Sequence, residues 1–124
     1  MAQKTKKTEE FISLSAEALG VVSYADYFTQ TPLFTSLQIK NAGADAATDL
    51  TLTVSNENGL VVSCIKPIAE VPFESSVEVD LGNVLSPHYF VGLESVREER
   101  VCIELKRDKQ TIAAETVTVT ALPF

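Results

Sequence analysis

Chemistry in this 124-residue chain would have to begin at His88, its only histidine. Any Ser-His-Asp or Cys-His arrangement passes its proton through an imidazole. His88 stands between Pro87 and Tyr89, where a helix is expected to start, and spacing assigns it no partner, so it reads as a surface histidine. Cys64 and Cys102 are the only thiols. One histidine and two distant cysteines do not make a zinc site, and the carboxylates lack the loop spacing of a calcium site. Gly20, Gly43, Gly59, Gly82 and Gly92 are scattered, whereas a phosphate-binding loop needs them close together. The acid pairs Glu9-Glu10 and Glu98-Glu99 could do proton chemistry only if burial raised their pKa values, and they are expected to be solvated surface carboxylates. No catalytic residue, metal or cofactor is expected.

The aromatics offer a different kind of chemistry. Tyr24, Tyr27, Phe28 and Phe34 crowd around Thr29-Gln30-Thr31-Pro32. Such side chains combine large apolar area with polar tips, and Tyr24, Tyr27 and Phe28 are the candidate contact surface for a protein partner. Core packing of part of the cluster is the competing reading, because Tyr24 and Phe28 share strand parity.

The elements that must position these residues are strands. Leu33, Thr35, Leu37 and Ile39 alternate with Phe34, Ser36, Gln38 and Lys40, which predicts a half-buried strand ending at Asn41. Leu50, Leu52 and Val54 predict a second, closed by the Asn58-Gly59 turn, and Leu60 to Ile65 a third. Pro67 and Pro72 flank Ile68 to Val71, so that stretch is expected to be a loop or a sheet edge. Val77, Val79 and Leu81 mark another strand. Arg100 to Arg107 follows, with Val101, Ile103 and Leu105 inward. In the last strand Ile112 and Ala114 share one parity and Val117, Val119 and Ala121 the other, which predicts a bulge near Glu115. Phe11 to Ser15 and Val21 to Phe28 read as a broken first strand, kinked near Gly20. The one helix expected starts at Ser86-Pro87 and runs two or three turns, with Tyr89, Leu93 and Val96 on one face. The fold class is an all-β, immunoglobulin-like antiparallel β-sandwich of about seven strands with one short helix. Residues 1–9 are expected to be a flexible Lys-rich arm and 10–124 a single sandwich domain.

Lys4, Lys6 and Lys7 lie in the first eight residues, where there is no acid, and the rest of the chain sets seven bases against seventeen acids, a charge of −10. So negative a body repels phosphate, and direct nucleic-acid binding is not expected. Glu9, Glu10 and Glu17 interrupt any signal-like apolar core, and no run is long enough to span a bilayer, which predicts a cytoplasmic protein without membrane contact. In a reducing compartment Cys64 and Cys102 are expected to be buried, unpaired thiols.

Four stretches carry a resemblance: Pro32 to Asn41, Asp49 to Leu52, Leu85 to Tyr89, and the closing Val117 to Phe124. Together they resemble an N-terminal immunoglobulin-like domain that precedes the motor in large bacterial superfamily 1 DNA helicase-like proteins. ATPase and helicase motifs lie downstream of such a domain in that family. None occurs here, so the resemblance carries over no catalytic residue. It implies a non-catalytic accessory domain that docks to the helicase motor region or recruits a protein partner. The alternative is an extracellular or cell-surface module, adhesive or carbohydrate-binding. A signal peptide or a tryptophan sugar platform would favour that alternative, and the chain contains no tryptophan.

Overall fold

A computed structural model describes residues 11–123. The expected arm of residues 1–9, with Glu9, and the neighbouring Glu10 lie outside the described residues. The period-two runs form two packed sheets. β1 (Ile12–Ala18), β3 (Phe34–Asn41) and β6 (Ser75–Glu78) make one, in the order β1-β3-β6. The other holds β2 (Val21–Val22), β8 (Gln110–Ala121), β7 (Arg97–Arg107), β4 (Ala47–Ser55) and β5 (Cys64–Val71), in the order β2-β8-β7-β4-β5. Inward residues of both, among them Leu37, Ile39, Leu52, Val54, Ile103 and Leu105, form one buried core. The result is an all-β sandwich of immunoglobulin-like arrangement, whose first strand is shared between the sheets. β1 pairs antiparallel with β3, the chain then crosses at Gly20, and β2 pairs with β8. That last pairing is parallel, the one departure from an antiparallel design among the described residues.

Four local expectations are corrected. Val21 to Phe28 is not a continuous strand: β2 stops at Val22, and Tyr24–Phe28 form a helix, α1. Ser23 precedes it in extended conformation, and its backbone N–H donates to the Asp26 carboxylate at 2.8 Å, one arm of a capping box. The helix at Ser86, α2 (Pro87–Val91), is shorter than expected. Gly92 follows at once, and the Leu93 N–H closes back on the Phe90 carbonyl at 3.2 Å, so Val96 lies exposed beyond it. The third strand begins at Cys64, not Leu60, and runs through Pro67 to Val71 as a sheet edge. A proline fits there because an edge strand needs donors on one side only. The irregularity of the last strand falls at Ile112, not near Glu115. Ala113 faces Leu105 while Thr111 faces Lys106, which leaves Ile112 as the extra residue.

Both thiols are unpaired, but Cys102 is exposed and Cys64 half-buried, which corrects the expectation that both are buried. Cys64 faces the inward Val54 of β4, and Cys102 faces its outward neighbour Ser55. Consecutive residues point to opposite faces of a strand, so the two thiols lie on opposite sides of one sheet.

Candidate functional site

Both helices sit at the end of the sandwich where β4 delivers the turn after Ser55 and β8 ends at Ala121, and they touch each other. Each is pinned by a polar side chain arriving from elsewhere. For α1 that residue is Asn83. Its amide donates to the carbonyls of Asp26 and Thr31, both at 3.1 Å, and its oxygen accepts the Leu85 N–H at 3.0 Å. The far end of α1 closes on itself, with the Thr29 hydroxyl donating to the Ala25 carbonyl at 2.9 Å and the Gln30 amide to the Tyr27 carbonyl at 2.9 Å.

For α2 the anchor is Glu99, whose side chain is only 2% exposed. The Tyr89 hydroxyl donates to one of its oxygens at 2.5 Å, while Asn58 at 2.9 Å and Asn56 at 3.2 Å donate to the other. Arg97 lies 3.8 Å away. The Asn56 oxygen accepts the backbone N–H groups of Asn58 and Leu60, at 3.1 and 2.8 Å, which shapes the turn that carries both asparagines. Burial pushes the Glu99 carboxyl up, but the bonds from Tyr89, Asn58 and Asn56, with the Arg97 charge, outweigh it and hold the group below its ordinary value. Burial first, and then the bond and charge of Glu99, push the Tyr89 phenol up against a smaller opposing effect of Arg97.

The expectation that Glu98-Glu99 is a solvated pair is therefore half corrected. Glu98 is exposed and Glu99 is buried. β7 begins at Arg97 rather than Arg100, and Glu99 has the inward parity of Val101, Ile103 and Leu105. That parity is the available signal, and a strand read from Arg100 begins three residues after the observed start and so leaves Glu99 out. The carboxylate accepts three side-chain hydrogen bonds and through Tyr89 anchors α2. His88, also on α2, is exposed. Among the described residues no group of three or more histidine, cysteine, aspartate or glutamate side chains could hold a metal ion.

The three candidate contact residues share α1 but not one environment. Tyr24 and Tyr27 are half-buried and packed against the core, their ring centroids 5.7 Å apart. Phe28 is 75% exposed. Sequence reasoning missed its counterpart on the neighbouring helix, Val91, which is 67% exposed while the adjacent Phe90 is fully buried. The helical spacing was read for Tyr89, Leu93 and Val96, and that left Val91 unassigned. Val21, Val62 and Val96 are further exposed apolar residues of elements that reach the same end. The arrangement can present apolar area on rigid supports. No family model and no curated protein matches the chain.

Proposed function

We propose that the chain is a non-catalytic interaction domain that docks a protein partner through the end carrying α1 and α2. The observation behind this reading is that Phe28 and Val91 turn outward from adjoining helices, each held in place by a polar anchor, Asn83 or Glu99. Anchoring the two helices fixes the backbone that carries these side chains, so little backbone freedom is lost on association. The resemblance to domains that precede helicase-like motors supplies the partner to test first: the motor-bearing region of such a protein, provided as a separate chain.

Calorimetric titration of that region with the wild-type chain and with Phe28→Ser, Val91→Ser and the double variant tests the reading. The double variant is expected to bind at least about tenfold more weakly, the loss of a contact worth about 1.4 kcal/mol or more, with an unchanged melting temperature. Tyr24→Ala and Tyr27→Ala are expected to lower the melting temperature, since both rings pack on the core. Unchanged affinity in the double variant would remove this surface from consideration.

A further inference from the structure

Asn58 is the one asparagine of the four in the chain that a glycine follows. Two structural demands put this pair where it stands. Gly59 holds φ +85°, a left-handed conformation that favours glycine, and its N–H closes the turn on the Asn56 carbonyl at 3.3 Å. Asn58 supplies a donor to the buried Glu99 carboxylate at 2.9 Å. The fold therefore calls for both residues. Together they make a dipeptide prone to intramolecular imide formation, because no side chain shields the glycine nitrogen from the preceding side-chain amide.

The reaction needs only water. The Gly59 nitrogen attacks Cγ of Asn58, a C–N bond forms, the Cγ–Nδ2 bond breaks, and ammonia leaves with the proton that the Gly59 nitrogen gives up. Water then opens the cyclic imide at one of its two carbonyls. Opening at the former side chain gives aspartate with the main chain kept, and opening at the other gives isoaspartate, with the main chain rerouted through Cβ. One water is consumed and one ammonia released, with no change of oxidation state. Asn58 is exposed, so water reaches it. In the folded chain, however, both reacting groups are engaged elsewhere. The Asn58 amide is held by Glu99, the Asn58 backbone N–H by the Asn56 side-chain oxygen at 3.1 Å, and the Gly59 N–H by the Asn56 carbonyl. Attack requires the turn to open locally, and its rate then scales with the population of the open form.

We infer that Asn58-Gly59 is a self-modification site, a deamidation site held shut by Glu99, and that its modification releases α2. Deamidation turns a donor to Glu99 into a second carboxylate beside it. Two carboxylates at hydrogen-bond distance cannot both stay ionised without repulsion. Glu99 also receives the Tyr89 hydroxyl, the contact that ties α2 to β7. A Glu99 side chain displaced from its place therefore loosens α2 and the backbone that carries the exposed Val91. The inference rests on the Glu99 cluster and not on what the α1–α2 end binds.

The test follows deamidation at residue 58 by mass spectrometry, at one neutral pH, in the folded chain, in its Glu99→Gln variant and in a synthetic peptide of the Ser55 to Val61 sequence. The free peptide is expected to deamidate at least about tenfold faster than the folded chain, as a turn with a small open population requires. Glu99→Gln replaces a charge-assisted bond by a neutral one, and its rate is expected to lie between the two. Asn58→Asp reproduces the product with the main chain kept. It is expected to speed amide exchange at Leu93, whose N–H closes α2, and to lower the melting temperature more than Asn58→Ala, which loses the donor without adding a charge. Should Glu99→Gln fail to fold, the comparison with the peptide decides whether the turn is locked. Should Asn58→Asp fail to fold, wild-type chain that has deamidated on storage, separated by ion exchange, gives the same reading at Leu93. Equal rates in the folded chain and the peptide, or a Glu99→Gln rate equal to that of the wild type, would overturn the lock. Unchanged exchange at Leu93, or a melting temperature no lower for Asn58→Asp than for Asn58→Ala, would overturn the release of α2.

Discussion

Glu99 is a carboxylate held ionised in a place nearly closed to solvent, and the donors around it make that tolerable. Its folded pKa lies below the ordinary 4.5, so its contribution to stability is complete above that value and is lost as pH falls through the folded value. The Tyr89 phenol has the opposite sign. Raised above the ordinary 10.0, it contributes fully below that value, and the contribution is lost as pH rises through the folded one. Tyr89→Phe removes a hydrogen bond to a charged group and is expected to cost about 1.5–3 kcal/mol at neutral pH in urea unfolding. Glu99→Gln is expected to flatten the acid limb of the stability profile. A Tyr89→Phe cost that stayed the same from neutral pH down to where Glu99 is protonated would show that ionisation of Glu99 adds nothing to the bond. The location of this carboxylate was legible in strand parity, since adjacent acids on one strand cannot both face water. Its partners were not, because Asn56 and Asn58 come from a turn more than forty residues away along the chain.

At the scale of elements, short polar side chains replace the long-range pairing that loops lack. Asn41 closes β3, is fully buried, and donates to the carbonyls of Asp45 at 2.8 Å and Val71 at 3.1 Å while accepting the Gly43 N–H at 2.9 Å. It thereby ties the end of one sheet to the end of β5 in the other. Asn41→Ala strands these backbone groups and is expected to cost about 1–3 kcal/mol by urea unfolding. Gln38→Ala, exposed on the same strand, is expected to stay within about 0.5 kcal/mol. A similar cost at both positions would mean that strand propensity rather than the Asn41 bonds dominates. The thiols follow from the same geometry. Because they face opposite sides of the sheet, alkylation of the unreduced protein is expected to label both, Cys102 faster than the half-buried Cys64. A mass two protons short with no label would contradict the strand register. The Asn-Ala-Gly turn at the end of β3 was visible in the sequence, whereas α1 was read as strand because Tyr24 and Phe28 fit either period over so short a run.

For the whole molecule the governing quantity is charge. Seventeen acids against ten bases give −7, and −10 once Lys4, Lys6 and Lys7 are set aside. The isolated chain is therefore expected to leave the fluorescence anisotropy of single- and double-stranded DNA unchanged at physiological salt. A micromolar, salt-sensitive shift would contradict this. No helix of the described residues is long and apolar enough to cross a membrane. Alternation of apolar and polar residues was enough, by itself, to determine a sandwich, most of its strands and its core, while the prolines left Ile68 to Val71 as either a loop or a sheet edge. A period of two can be satisfied only by burying one face, and a proline can be satisfied only where no donor is needed. Which strands share a sheet, where the first strand crosses over, and which of Tyr24, Tyr27 and Phe28 faces outward were decided by tertiary structure alone. Those properties depend on contacts between segments distant in the chain, and local periodicity carries no information about which distant segment fills the other side.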